Sequence, residues 1–337
     1  MLNDDKMLPI NLDPLIKTYP YNAVYLGILK ACGHDVSNLI ANNFLKVFYF
    51  EDNKGAHIDF CKSGNIEKNR FNKKYDIDKL RINSEFIKNK LDNNYYLLVN
   101  LNEKLLNVKD VYRPFDFYHD WYIYGYNNIS ETFLCCGYIP KKNGAIFGSI
   151  DIPFDNLIMS IRNVPWTFNI SRAYNLKNHS FKINPNWNEP SISKEQILKR
   201  IQNFYSIKKT PVIKFKKLHF VTNCLAINKY IKSFEKKYIS NAKNENDRIF
   251  LQDIRTFHEH QKVWGLLLNY VTEDSKIISK QKNHINITRN NLLLAQKYNL
   301  FPNKKIAEEI YRNLITSEKG NYEIAKSLFE EIYKNQI

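Results

Sequence analysis

The chain has 337 residues, 44% apolar and 14% aromatic, which is length and core material enough for about two domains. Its formal charge of +16 comes mostly from lysines scattered among Asn, Ile, Tyr and Phe, with no clustered arginine face, so the composition argues against specific nucleic-acid binding. No run of about 18 apolar residues is present to span a membrane, the acidic start MLNDDKMLPINLD lacks the apolar stretch of a secretory signal, and five cysteines without a paired framework fit a reducing, cytoplasmic setting.

In chain order, the extended, proline-containing segment LDPLIKTYPYN leads into a helix from about Asn22 to Cys32. Asn22 can cap its start. Ala23, Val24, Leu26, Ile28 and Leu29 make it apolar nearly all round, which marks a buried helix, and Gly33 suits the position just past its end. A short helix from Val36 to Ala41 precedes a hairpin of Val47–Phe50 and Gly55–Cys61, and the polar stretch from Gly64 to Asp76 reads as a loop. Asp78 to Leu91 is helical, and Tyr95 to Leu101 (YYLLVNL) is a buried strand. Trp121–Tyr124 and Thr132–Cys136 form a second hairpin, followed by a strand at Phe147–Ile152 and a helix opening at Pro153.

The stretch from Pro165 to Pro190 is irregular and aromatic and reads as a junction. Beyond it the pattern is helical: Ser193-x-x-Gln196 is a capping box, Leu218–Tyr238 and Asn246–Tyr270 are long helices, and Asn290–Tyr298, Lys304–Thr316 and Asn321–Lys334 complete a bundle. The expected architecture is α+β: an N-terminal domain with a mixed antiparallel sheet at 1–165, a junction at 166–190, and an all-α helical domain at 191–337.

Chemistry concentrates around His119, which stands immediately before the aromatic strand Trp121-Tyr-Ile-Tyr124. An imidazole held at a strand start, with a partner to fix its tautomer, has the geometry of a general base, although a polar strand-end residue is the blander alternative. Asp116 flanks it. Tyr122 and Tyr124 could line an aromatic cleft or a packed sheet face, and Asn127 could be a site residue or a turn residue. His258 and His260 are two apart on a helix and so do not make the spacing a zinc site prefers. Cys135 and Cys136 point to opposite faces of a strand, and no Gly-rich phosphate loop occurs. No cofactor and no metal site is expected.

The order of a buried helix followed by a sheet with a histidine resembles the papain-like proteins typified by the N-terminal domain of the butirosin-biosynthesis acyltransferase, relatives of the peptidases that process bacteriocin leaders. The likeness rests on His119-Asp-Trp-Tyr-Ile-Tyr-Gly125-Tyr-Asn127, on the later run Ile150-Asp-Ile-Pro-Phe-Asp-Asn-Leu157, and on Arg255-x-Phe257-His258-x-His260 with the lysine-rich terminal helices. It implies a papain-like N-terminal domain and thioester or amide chemistry in bacterial natural-product biosynthesis. The partner it implies is an acyl- or peptidyl-carrier protein or a peptide-like small molecule, and a homo-oligomer is compatible with it.

Two catalytic positions depart from the family pattern. The slot for the nucleophilic cysteine, at the start of the buried helix, falls at Tyr19-Pro20-Tyr21, and the slot for the acid falls near Cys136-Gly137. Three readings follow. The chain could bind a peptide-like or carrier-bound acyl intermediate with a degenerate site. It could catalyse acyl or aminoacyl transfer with His119 as base and Tyr19 or Tyr21 donating a hydrogen bond, in a groove where the tyrosine–proline segment faces the imidazole. Or it could be an interaction or immunity-type protein. In the binding readings Tyr122, Tyr124, Asn127 and Asp116 contact the ligand.

Overall fold

The computed structural model describes residues 5–52, 55–60, 71–76, 78–108, 113–141, 144–165, 179–184, 191–205, 213–215, 218–240 and 247–334. The fold is α+β: an antiparallel sheet in the N-terminal region and a helical C-terminal region. The chain divides into two compact units, Met1–Asp35 with Gly64–Asn188, and Val36–Ser63 with Glu189–Ile337. Where the sequence places a boundary at residue 165, the structure has the segment from Val36 crossing early into the second unit, so that unit carries strands as well as helices.

In the first unit, helix α1 (Pro20–Ala31) begins two residues before the expected Asn22, with Tyr19 as N-cap and proline in its first turn, where the missing N–H costs nothing. Gly33 follows its end with φ +83°, as expected. Ala23, Val24, Leu26, Ile28 and Leu29 are fully buried, each apolar side chain of valine or leucine size contributing about 1.5–3 kcal/mol.

The sheet runs β4 (Phe71–Asp76), β9 (His179–Ile183), β5 (Tyr96–Asn102), β6 (Tyr118–Asn127), β7 (Thr132–Lys141) and β8 (Gly144–Pro153), with β1 (Asp5–Met7) also pairing β6. β4 and β9 lie where the sequence suggests only loop and junction; residues 61–70 and 166–178 fall outside the described residues. Every residue of β5 is buried, because both faces of the sheet are covered. On one face, Tyr25 of α1 meets Tyr122 at 6.2 Å and Phe181 at 5.2 Å between ring centroids. On the other lie α3 (Ser84–Asp92) and α4 (Phe154–Arg162), with Phe154 against Phe133 at 4.5 Å and Tyr126 Oη donating to Asp92 at 2.8 Å.

In the second unit, β10 (Ile213–Phe215), β11 (Leu218–Thr222), β2 (Val47–Asp52) and β3 (Gly55–Phe60) form an antiparallel sheet in that order. The stretch from Leu218, read from sequence as the start of a helix, is therefore strand until Thr222. Helix α6 (Asn223–Glu235) follows and ends in a π-helical turn, Lys236–Ser240. The unit also holds α2 (Ser37–Asn43) and α5 (Lys194–Tyr205), the latter opened by the expected box: Gln196 N donates to Ser193 Oγ at 3.2 Å, and Ser193 N donates to Gln196 Oε1 at 3.0 Å.

Three long helices close the chain: α7 (Leu251–Val271), α8 (Ser275–Leu300) and α9 (Lys304–Lys334). α8 is much longer than its apolar pattern suggests, because its buried stripe is largely polar: Gln281, His284, Thr288 and Asn291 precede Ala295 and Tyr298. These polar side chains are paired across the bundle. Gln281 Nε2 donates to Gln261 O at 3.0 Å, Asn313 Nδ2 donates to Asn291 Oδ1 at 2.8 Å, and Thr288 Oγ1 lies 3.1 Å from His258 Nδ1. α9 is continuous where the sequence suggests a break near Gly320. The glycine is required by packing, since a Cβ there would lie 1.9 Å from Cε1 of His284.

A carboxylate-held histidine at the start of strand β6

His119 lies inside β6, opposite Leu101 of β5. β5 ends in a 3-10 turn, Glu103–Leu105, opened by Asn102, whose Oδ1 accepts from Lys104 N and Phe117 N, both at 3.3 Å. Asn102 O in turn accepts from Ser160 Oγ of α4 at 2.7 Å. These bonds fold the chain back so that Glu103, with no exposed surface, sits beneath β6. Its Oε1 lies 3.2 Å from His119 Nδ1 and accepts from Trp121 Nε1 at 3.1 Å, while Oε2 accepts from Arg113 Nε at 3.2 Å.

A buried carboxylate would cost several kcal/mol if left alone. Three donors, one of them cationic, offset that cost, each hydrogen bond to the charged group contributing about 1.5–3 kcal/mol. Trp121 reaches Glu103 across the sheet because residue 137 is glycine: a Cβ there would stand 2.8 Å from the indole.

The side chain of His119 is 29% exposed. Its ring stacks near Tyr138 at 6.3 Å and meets the edge of Phe117 at 5.8 Å. With Nδ1–H donated to Glu103, Nε2 is the acceptor that remains, which is the tautomer a general base or a hydrogen-bond acceptor for a ligand requires. The orienting acid thus comes from the strand before the histidine, not from the expected slot at Cys136 on the strand after it. The one sequence signal for it is an acidic residue directly following a buried strand that is apolar apart from Asn100 and Asn102.

The other anticipated site residues do not gather around the imidazole. Residues 118–123 pair with β5 in unbroken register, so His119 and Trp121 share one face and Tyr122 the other. Tyr122 meets α1, whereas Trp121 and Gly137 lie on the side of Phe133 and α4. Helix α1, which follows Tyr19 and holds Tyr21 in its first turn, therefore packs on the face opposite His119. The side chain of Tyr21 lies outside the described residues.

Tyr122 and Tyr124 are buried in packing, Tyr124 Oη 2.6 Å from Ser149 Oγ, and neither opens a cleft. Asn127 is a turn residue: its Oδ1 accepts from Ser130 N at 2.7 Å, and it stands eight residues along the strand from His119, roughly 26 Å away. Asp116 is the exception. It is close in the fold, accepting from Asn102 Nδ2 at 2.9 Å and lying 3.6 Å from Lys104 Nζ. The Asn102 hydrogen bond, helped by the lysine, holds its carboxyl below the usual value.

No cysteine among the described residues is poised as a thiolate. Cys135 and Cys136 are fully buried and burial pushes both thiols up. Cys32 is exposed but caps the C-terminal end of α1, where the helix dipole opposes negative charge, and it too is raised, by burial of its sulfur. Cys61 lies outside the described residues.

Among the described residues no group of three His, Cys, Asp or Glu side chains could hold a metal ion. His258 and His260 are core histidines with separate partners, His260 Nε2 lying 3.0 Å from Leu45 O, and burial lowers both to about 4. None of the described helices is long and apolar enough to cross a membrane. Neither the models of known protein families nor the curated proteins give a match to the chain.

Proposed function

We propose that the chain holds a peptide-like or carrier-tethered acyl group against the imidazole of His119 without forming a covalent acyl-enzyme. The observation that carries this reading is the contact between His119 Nδ1 and the buried Glu103, which fixes the ring and leaves Nε2 for a ligand. The buried, protonated cysteines support the non-covalent part. The ligand class comes from the papain-like resemblance, and the partner it brings is an acyl- or peptidyl-carrier protein of a cytoplasmic natural-product assembly. The opposed faces of α1 and His119 favour a relative that has given up the thiol route over one that has merely rearranged it.

The test is titration of the full chain, carrying isotope-labelled histidine, with an acyl-pantetheine and with a short glycyl peptide. The expected result is a saturable shift of the His119 signal with no gain in protein mass. A covalent adduct on a cysteine, or an unmoved His119 signal with both probes, overturns the reading.

The same Glu103 contact favours a second reading, in which His119 is a general base and a substrate amine or water is the nucleophile. It predicts release of free thiol from the acyl-pantetheine when an amine is added. That release is abolished in His119→Ala and reduced in Glu103→Gln.

A further inference from the structure

The second unit holds a cavity of about 270 Å³ that the readings above do not use. Its floor is a second histidine–carboxylate pair. His57, on β3, places Nδ1 3.2 Å from Oδ2 of Asp253 in the first turn of α7, and Asp253 Oδ1 also accepts from Ile58 N at 3.3 Å. His57 Nε2 lies 3.2 Å from Asp52 Oδ1. The ring is buried, with Phe250 edge-on at 4.9 Å. Burial pulls the imidazole down, but the hydrogen bond and charge of Asp253, with those of Asp52, outweigh it and leave His57 raised.

The walls and rim differ in character from this floor. Phe234 and Tyr238 are buried aromatic walls, and Lys237 and Arg248 line the cavity nearer solvent. Lys237 and Tyr238 belong to the π-helical turn after α6, a rare distortion frequent at functional positions. Helix α7 opens at the same place, with Asp253 in its first turn. Of the charged lining groups, Lys237 and Arg248 stand at the rim, while His57 and Asp253 pair on the floor.

We propose that this cavity binds a compact anion carried on a single aromatic or apolar ring, as in an aryl phosphate or an aryl carboxylate. Arg248 and Lys237 engage the anion at the rim, a role that suits the fork of arginine and the point charge of lysine. The ring lies against the wall formed by Phe234 and Tyr238, which pack on each other at 4.7 Å between centroids. The two carboxylates beneath it outnumber the one imidazole, so the floor attracts no anion and the anion stays at the rim.

Calorimetric titration of the full chain with phenyl phosphate, benzoate, inorganic phosphate and phenol tests the assignment. Phenyl phosphate is expected to bind saturably at about 1 mM or tighter, and phenol and inorganic phosphate each about tenfold weaker, since each lacks one of the two recognised parts. Lys237→Gln and Arg248→Gln are each expected to weaken phenyl phosphate about tenfold, and the affinity is expected to fall as salt is added. His119→Ala is expected to leave it unchanged, which separates this site from the one in the first unit. Absence of saturable binding by both phenyl phosphate and benzoate overturns the proposal. So does phenyl phosphate binding that the Lys237→Gln, Arg248→Gln double variant leaves intact.

Discussion

The two units each hold an imidazole against a carboxylate at the same 3.2 Å separation, yet the pairs are built to opposite ends. In the first unit the carboxylate is the buried partner. Glu103 has no exposed surface and is shared by tryptophan and arginine, while the histidine keeps 29% of its side chain exposed and, among the described residues, one nitrogen uncommitted. In the second unit the ring itself is buried, 7% exposed, and both of its nitrogens face carboxylates. A singly held imidazole can accept a proton from a ligand. A doubly held one has both nitrogens engaged and ties β3 to the start of α7. Distance alone does not separate the two roles; the count of committed nitrogens does.

The contrast can be broken at its strongest point by Asp253→Ala. That change leaves a buried imidazole facing one half-exposed aspartate, and about 4 kcal/mol of stability is expected to go, read as a fall in the denaturant midpoint.

A buried acid with no histidine beside it provides the next measurement. Glu318 of α9 is raised to about 8 by burial, so its folded value lies above its unfolded one and the neutral form is favoured in the fold. Stability tied to it is present below about pH 4.5 and is lost as pH rises toward 8. Glu318→Gln is thus expected to stabilise the chain by up to about 4 kcal/mol at pH 8, with little effect at pH 5. A gain that does not vary with pH would sink this account of Glu318.

Glu103→Gln keeps shape and one acceptor but removes the charge under three donors, and about 2 kcal/mol is expected to be lost in thermal unfolding. His119→Ala removes a single donor from a carboxylate that keeps two others. The expected cost is about 1 kcal/mol or less, with the fold intact. If His119→Ala proves as costly as Asp253→Ala, the two pairs are alike and the first is structural.

The sequence makes legible those parts whose pattern is local. α1 is apolar nearly all round, β5 is apolar but for its asparagines, and the β6–β7 hairpin is bounded by turn residues, so all three stand near where the pattern puts them. β4 and β9 hide in polar stretches because a sheet, not their own composition, recruits them. Leu218–Thr222 continues an apolar pattern into α6, and period alone does not tell such a strand from a helix. α8 escapes notice because the interior it faces is polar. His119 stands out from its strand, but its partner Glu103 precedes it in the chain and carries no family pattern. His57 and Asp253 are 196 residues apart and carry no local mark at all. The anticipated role of Tyr19 and Tyr21 depended on which way one residue of β6 points, which register decides and composition does not.

The missing side chain at Gly320 does more than make room for an imidazole. A helix pair joined through amides and hydroxyls can exchange one set of partners for the next along the groove, since these groups bond one another interchangeably. The His284 ring fits a single notch, and advancing α9 by one residue would drive the side chain of Lys319 or Asn321 into it. The notch therefore sets the phase of the longest helix in the molecule, as a key sets a lock, and a methyl group at that position would be felt along the whole seam.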